Sequence, residues 1–373
     1  MEMKTLLGAL CLSLLASTTL PAQDAPPAAP TPGQRGPGGP GGPRQNPYQP
    51  SQAKWDANPE TQAFVAKAKE IAGNDPDLKF DEDIFCRPSG GAGNEDRAHL
   101  GTPDSLPHLA PYPAPSPKVE LGGQRLFDNF YWIGDTGVGA WVITSNDGYI
   151  LFDSLNNEQE ARDVLVPSMI KLGLDPAKIK YMVFGHFHLD HTGGGQYIES
   201  HYHPKIIMGR DDWDLYFKSL QSNTGQGAAL KNKTPMARGI DATDGMKITV
   251  GDVTATIYTM TGHTPGSIGM IVPVKFQGKN HPILIVTAGT DVHNRESFIG
   301  GYEHIWDIGI QNKVESVIQV HPNTNMNSLA RTKYISENYP PTTNLLLYGA
   351  PKTEKYINIM RACTQARMAA LGW

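Results

Sequence analysis

Four residues with metal-binding side chains lie close together in this 373-residue chain: His186, His188, Asp190 and His191. His186 and His188 stand two apart where the chain leaves an apolar run, so both imidazoles can point to the same side and bind one metal ion. Asp190 and His191 are adjacent and must diverge, which indicates that they serve a second ion nearby. The pattern therefore predicts a two-metal site, a kind of site that activates water for hydrolysis.

Two distant histidines are the candidates that complete the two sites. The sequence GHTPGS at residues 262–267 predicts a strand followed by a turn, and it presents His263 as the third ligand of the first ion. His321 follows the apolar run Val317–Val320 directly and precedes Pro322, which makes it the matching candidate for the second ion. A histidine taken alone is more often an ordinary residue, but five histidines and one aspartate at predicted strand ends favour a metal site.

The elements that position these residues can be read from the apolar pattern. Short apolar runs separated by turn signals begin at residue 119 and predict an antiparallel meander. A helix over Glu158–Leu172 and a buried strand over Ile179–Phe184 follow, and the metal-binding cluster begins where that strand ends. The remaining chain alternates strands and helices, and one of these helices is predicted over Gly301–Lys313. This order predicts an α/β fold in which two sheets pack face to face with helices outside.

These motifs resemble the metallo-β-lactamase superfamily over about residues 119 to 335. The resemblance rests on H-x-H-x-D-H, on GHTPGS, on a strand ending in His-Pro, and on the preceding strands that contain Trp132 and end at Asp153. The closest pattern is that of the third subclass of class B β-lactamases. The resemblance implies a four-layer αββα sandwich, and it implies two Zn²⁺ per chain. Carried over, His186, His188 and His263 would hold the first zinc, Asp190, His191 and His321 would hold the second, and Asp153 would orient the cluster through hydrogen bonds.

The same resemblance implies hydrolysis of a β-lactam amide by attack of a zinc-bound hydroxide. In that reading Asp190 also orients the water, and the substrate carboxylate needs hydrogen-bond donors. Thr290, Asn294 and Arg295 are the expected donors, from their loop position alone.

The loop at residues 289–295 departs from the pattern of these lactamases, which usually have an Asp-Ser-Leu type sequence there. Relatives that cleave thioesters, lactones or phosphodiesters place a metal-bridging aspartate in this loop, and Asp291 could take that place if the preceding strand ran one residue longer. An exported lactonase, thioesterase or phosphodiesterase is therefore the alternative function. A non-enzymatic zinc-binding or partner-docking protein with a degenerate site is disfavoured because all six ligands are present.

The N-terminal region differs in composition from the rest of the chain. Lys4 precedes an apolar stretch over Thr5–Ser17 that is too short to span a bilayer, a pattern typical of a secretory signal, and we expect a periplasmic or secreted protein. A Pro- and Gly-rich stretch follows, and then a predicted helix over Ala57–Ala72 and a long irregular segment. The whole segment from Ser51 to Lys118 could cover or narrow the cleft. The predicted organisation is a signal peptide at 1–22, a disordered linker at 23–50, an N-terminal helical and irregular extension at 51–118, and the metallo-β-lactamase domain with C-terminal helices at 119–373.

The charge of the chain argues for a small-molecule substrate. The formal net charge is −5 and no long run of Lys or Arg occurs, so nothing in the sequence favours nucleic acid or an anionic membrane surface as a partner. We expect a monomer. Once the signal is removed, Cys86 and Cys363 are the remaining cysteines, and they could either form a disulfide or stay as two free thiols.

Overall fold

The structure is a computed structural model that describes residues 49–89, 120–135, 137–223, 234–287, 295–321 and 328–373. The predicted signal peptide and nearly all of the predicted linker lie outside these ranges and stay predictions. Among the described helices, none combines the length and the apolar character that crossing a membrane requires.

Seven strands form the first sheet, and their order in the sheet follows their order in the chain. The first four pair antiparallel, which confirms the predicted meander, and the remaining pairs are parallel because helices connect those strands. The strands are β1 Glu120–Phe127, β2 Phe130–Asp135, β3 Gly139–Thr144, β4 Tyr149–Phe152, β5 Ile179–Val183, β6 Lys205–Gly209 and β7 Ile240–Ala242.

Five strands form the second sheet, in the order β12-β11-β10-β9-β8. All neighbours pair antiparallel except β11 and β12, which are parallel. The strands are β8 Met246–Val250, β9 Val253–Thr259, β10 Ile268–Phe276, β11 Lys279–Val286 and β12 Ser316–Gln319.

The helices lie outside the two sheets, and two of the predicted helices are less regular than expected. The one predicted over Glu158–Leu172 contains a π-helical stretch at Ala161–Leu165, and the one predicted over Gly301–Lys313 begins within a π-helical stretch at Phe298–Glu303. The α-helices are α1 Gln52–Ala57, α2 Pro59–Ala72, α3 Pro76–Phe85, α4 Glu158–Glu160, α5 Val166–Lys171, α6 Leu189–Thr192, α7 Gly195–Tyr202, α8 Arg210–Ser219, α9 Arg295–Ser297, α10 His304–Gln311, α11 Ser328–Glu337 and α12 Ala350–Leu371.

Three apolar clusters hold the layers together. Trp132 and Phe152 on the first sheet share a cluster with Ile257 and Ile285 on the second, and this cluster fills the space between the sheets. The opposite face of each sheet packs against helices. Strands β2, β3 and β4 are buried on both faces, and their sequences are accordingly nearly continuous apolar runs, whereas β8 alternates buried and exposed residues. The predicted α/β four-layer αββα sandwich is confirmed.

The prediction for the N-terminal extension is wrong in one respect, because the described part contains three helices instead of one. The segment after residue 75, predicted as irregular, forms α3. Asp75 caps this helix by accepting hydrogen bonds from the backbone N–H groups of Asp77 and Leu78. The helix has few apolar residues, but those it has are buried against the C-terminal helix α12 and the second sheet, so packing outweighs the weak local pattern.

The N-terminal helices are fastened to the C-terminal part of the fold in several ways. Cys86 and Cys363 form a disulfide with their Cα atoms 4.5 Å apart, which decides between the two alternatives that the sequence left open. The buried guanidinium of Arg331 donates to the carboxylate of Asp77 over 2.7 Å. The described helices α1–α3 thus contact the outer helical layer of the second sheet. Whether the extension narrows the cleft stays a prediction for residues 90–118, which lie outside the described part.

Candidate metal centre

The six predicted ligands come from the ends of strands of both sheets. His186 and His188 lie in the loop after β5, and the short helix α6 carries Asp190 and His191. His263 lies between β9 and β10, and His321 follows β12. Packing of the two sheets brings these strand ends together, although the residues stand up to 135 positions apart, from 186 to 321.

The first cluster consists of three imidazoles that face one another. The Nδ1 of His188 lies 3.1 Å from the Nε2 of His186 and 3.0 Å from the Nε2 of His263. A tetrahedral zinc with Zn–N bonds of about 2.0–2.1 Å holds its nitrogens about 3.3 Å apart. The three nitrogens therefore fit one ion after small movements. Burial and the neighbouring histidines keep the pKa of His186 well below its ordinary value, so this imidazole is neutral, as a metal ligand must be.

The second cluster consists of one carboxylate and two imidazoles. The Oδ2 of Asp190 lies 3.5 Å from the Nε2 of His191 and 3.6 Å from the Nε2 of His321. The Nε2 of His191 is buried and faces the carboxylate of Asp190, as expected for two ligand atoms directed at one metal. Ligand atoms of His186, Asp190 and His191 also lie within 4.8 Å of one another, so the two clusters adjoin. The donors fit two neighbouring ions, and nitrogen with carboxylate oxygen is a set that zinc accepts.

Two hydrogen bonds orient the imidazoles of the second cluster. The buried Asp153 lies 2.7 Å through Oδ2 from the Nδ1 of His191, and its Oδ1 accepts from the backbone N–H of Gly185 over 2.9 Å. The Nδ1 of His321 lies 2.8 Å from the carbonyl oxygen of Gly137. Each bond occupies Nδ1 and turns Nε2 towards the cluster, the arrangement usual around metal-binding histidines.

Electrostatics at this cluster follow from burial and charge pairing. Burial opposes protonation of His191, but the Asp153 carboxylate outweighs it and raises the pKa of His191 to about 10 in the metal-free protein. Burial alone would raise the pKa of Asp190, yet the hydrogen bond and charge of His191 and the charge of His321 hold this pKa well below its ordinary value. Asp190 is therefore ionised at neutral pH. Asp153 has a φ of 63°, a conformation that non-glycine residues rarely adopt and that is concentrated at functional sites.

Asp212 is a residue of this region that the sequence analysis missed. It lies in the first turn of α8, is fully buried, and accepts hydrogen bonds from the loops on both sides of the first cluster. Burial raises its pKa to about 6, against the opposing effect of those bonds. In the sequence it is one of two adjacent aspartates at a helix start, a place where acidic residues are common and exposed. No local signal distinguishes it from Asp211.

The predicted substrate contacts are only partly described. Arg295 opens the short helix α9 and is exposed to solvent. Thr290, Asp291 and Asn294 lie outside the described residues. The possible metal-bridging role of Asp291 is therefore not tested. These assignments stay predictions.

Comparison with known proteins supports the same fold. The family model of the metallo-β-lactamase superfamily matches residues 133–274. Among solved structures, BJP-1, a subclass B3 metallo-β-lactamase of Bradyrhizobium japonicum, is 22% identical with a TM-score of 0.51, over 65% of this chain and 90% of that one. The metallo-β-lactamase GOB-18 from Elizabethkingia meningoseptica is 20% identical with a TM-score of 0.51, over 67% and 92%. A mutant of the FEZ-1 metallo-β-lactamase from Legionella gormanii is 18% identical with a TM-score of 0.52, over 65% and 92%. The chain therefore has the metallo-β-lactamase fold, and the predicted resemblance to this superfamily is confirmed. BJP-1, among the similar structures, is of the B3 subclass that the sequence pattern resembles.

Proposed function

We propose that this chain is a metal-dependent hydrolase that binds two zinc ions and opens the β-lactam ring. The observation that carries the proposal is the pair of adjoining clusters. In the first, one imidazole nitrogen lies 3.0–3.1 Å from the nitrogens of two others, and in the second a carboxylate lies 3.5–3.6 Å from two further imidazoles. The similar solved structures described above are metallo-β-lactamases, which supports a β-lactam as the substrate.

Two zinc ions bound here would supply a water whose pKa is lowered to about 7 and a Lewis acid for the substrate carbonyl, so no protein nucleophile is required. The side chain of Asp190 is 40% exposed, and its ionised carboxylate can accept a hydrogen bond from the attacking water and orient it. The hydrogen bond with Asp153 keeps the imidazole of His191 in one orientation. The chain thus contributes a rigid set of ligands and one carboxylate within reach of the water.

Recognition of the substrate carboxylate falls to the loop before α9 and to the start of that helix. The guanidinium of Arg295 is exposed and can pair with a carboxylate through two parallel hydrogen bonds. Thr290 and Asn294 are the further contacts that we propose from their place in the chain.

We also propose that the protein is exported to the periplasm or secreted and acts as a monomer. The disulfide between Cys86 and Cys363 supports export, because disulfides form and persist in oxidising compartments. Fractionation of cells that express the full chain, followed by light scattering on the purified protein, tests both statements.

The deciding experiment is hydrolysis of a chromogenic cephalosporin by purified protein that lacks residues 1–22. We expect turnover that is lost on chelation and regained when zinc is added. Negligible turnover with two zinc ions bound would contradict the β-lactam substrate, and a panel of lactones, thioesters and phosphodiesters would then be the next substrates. Absence of bound metal in a folded protein would contradict the metal-dependent function itself.

A further inference from the structure

Asp212 connects the two loops that supply the first cluster. Its Oδ2 accepts a hydrogen bond from the backbone N–H of Phe187, the residue between His186 and His188, over 2.9 Å. The same oxygen accepts from the hydroxyl of Thr264, the residue after His263, over 2.7 Å. Its Oδ1 accepts from the backbone N–H of Gly266 over 2.8 Å. One side chain therefore joins the two loops that carry the three imidazoles of the first cluster.

The backbones around Asp212 approach each other as closely as glycine allows. A Cβ atom at Gly266 would lie 2.6 Å from the backbone nitrogen of Asp212, and a Cβ atom at Gly209 would lie 2.0 Å from the carbonyl oxygen of Gly266. This close approach leaves no room for a side chain between the start of α8 and the turn that follows His263. The carboxylate at position 212 is thus held against that turn, within hydrogen-bonding distance of the backbone of Phe187.

We propose that Asp212 is a positioning residue for the first metal site. Its carboxylate holds both Phe187 and Thr264. It thereby keeps the imidazoles next to these two residues in the chain, which are those of the first cluster, within binding distance of a common ion. Asp153 and the carbonyl oxygen of Gly137 orient the second cluster instead, so the effect of Asp212 is specific to the first site. The inference rests on the proposed ligand sets and is independent of the substrate.

The hydrogen-bond chemistry requires a carboxylate at this position. All three partners donate, and an ionised carboxylate accepts at both oxygens, whereas an amide accepts at one end and donates at the other. Asp212→Asn therefore preserves the shape of the side chain but directs an NH₂ group at a donor. Asp211→Asn is the matched control, because Asp211 is the preceding residue on α8 and its side chain is 55% exposed.

The experiment measures zinc affinity at each site separately, by competition with a chromophoric chelator. Asp190→Ala isolates the first site and His263→Ala isolates the second, and Asp212→Asn is added to each. We expect Asp212→Asn to weaken zinc binding about 10–100-fold in the Asp190→Ala background, the usual range for groups that orient metal ligands. In the His263→Ala background we expect a change below about threefold, and Asp211→Asn should have no effect in either.

Other outcomes overturn the inference. Unchanged affinity at the first site, or equal losses at both sites, in variants whose circular dichroism matches the parent would show that Asp212 does not position the first site. If Asp212→Asn fails to fold, the pair Thr264→Val and Thr264→Ser decides in the Asp190→Ala background. Loss of affinity in the valine variant with rescue by serine supports the role of this connection, and equal affinities for the two variants refute it.

Discussion

The Nδ1 of His191 lies 2.7 Å from the Oδ2 of Asp153, and neither side chain is exposed to solvent. This pairing fixes which nitrogen of the imidazole faces the cluster, because the nitrogen bound to the carboxylate carries the proton. Asp153 also accepts from the backbone of Gly185, next to His186, so it holds both His191 and the start of the metal-binding loop.

Replacement of this aspartate should therefore weaken the second metal site. We expect Asp153→Asn to lower zinc affinity about 10–100-fold, because the amide no longer fixes the ring of His191 or raises its basicity. Zinc titration of the His263→Ala background, in which the second site is isolated, measures the effect. Asp147→Asn, at an exposed position in the turn between β3 and β4, is the control. An unchanged affinity would mean that the rest of the fold orients His191 by itself.

The raised pKa of Asp212 predicts a pH-dependent difference in stability. The pKa is about 6 in the folded metal-free protein and about 3.9 in an unfolded chain. Protonation of the Asp212 carboxyl therefore stabilises the folded state relative to the unfolded state. This contribution to the free energy of unfolding is fully present below the unfolded pKa and is lost as pH rises through about 6. Relative to Asp212→Asn, the chelated wild-type protein should lose about 1 kcal/mol between pH 5 and pH 7.

Urea unfolding of both proteins at pH 5, 6 and 7 measures this difference, and groups common to both cancel in the comparison. A stability difference that stays constant over this range would show that Asp212 does not titrate there.

The disulfide should matter for stability more than for chemistry. It links two cysteines with a sequence separation of 277, so reduction should lower the free energy of unfolding by about 2–5 kcal/mol. Cys86→Ser should have the same effect and should remove the sensitivity to dithiothreitol. Urea unfolding with and without the reductant, with thiol titration to verify reduction, is the measurement. Equal stability of the oxidised and reduced proteins would contradict the prediction.

Arg295 should affect substrate binding without changing the chemical step. If its guanidinium pairs with the substrate carboxylate equally in the ground state and the transition state, Arg295→Ala raises KM about tenfold or more and leaves kcat nearly unchanged. Steady-state kinetics with a chromogenic cephalosporin separate the two constants. Arg210→Ala, at another exposed arginine that begins a helix, is the control. A fall in kcat at constant KM would place Arg295 in a different role.

Several features of this protein were predictable because they depend on local sequence. The meander β1–β4 follows from apolar runs and turns, and the candidate ligands follow from the spacing H-x-H-x-D-H at a strand end. Helix α3 was not predictable in this way. Its sequence has a weak apolar pattern, and packing against α12 stabilises it.

The sequence by itself determined which residues could bind metal and which layers the fold would have, because residue type, spacing and apolar period act over short distances along the chain. Only the tertiary structure decided that His263 lies 3.0 Å from His188 across 75 residues, that Cys86 meets Cys363, and that Asp212, unlike Asp211, is buried between two loops. The physical reason is that these relationships depend on how the two sheets and the outer helices pack against each other, and such long-range contacts leave no local pattern in the sequence.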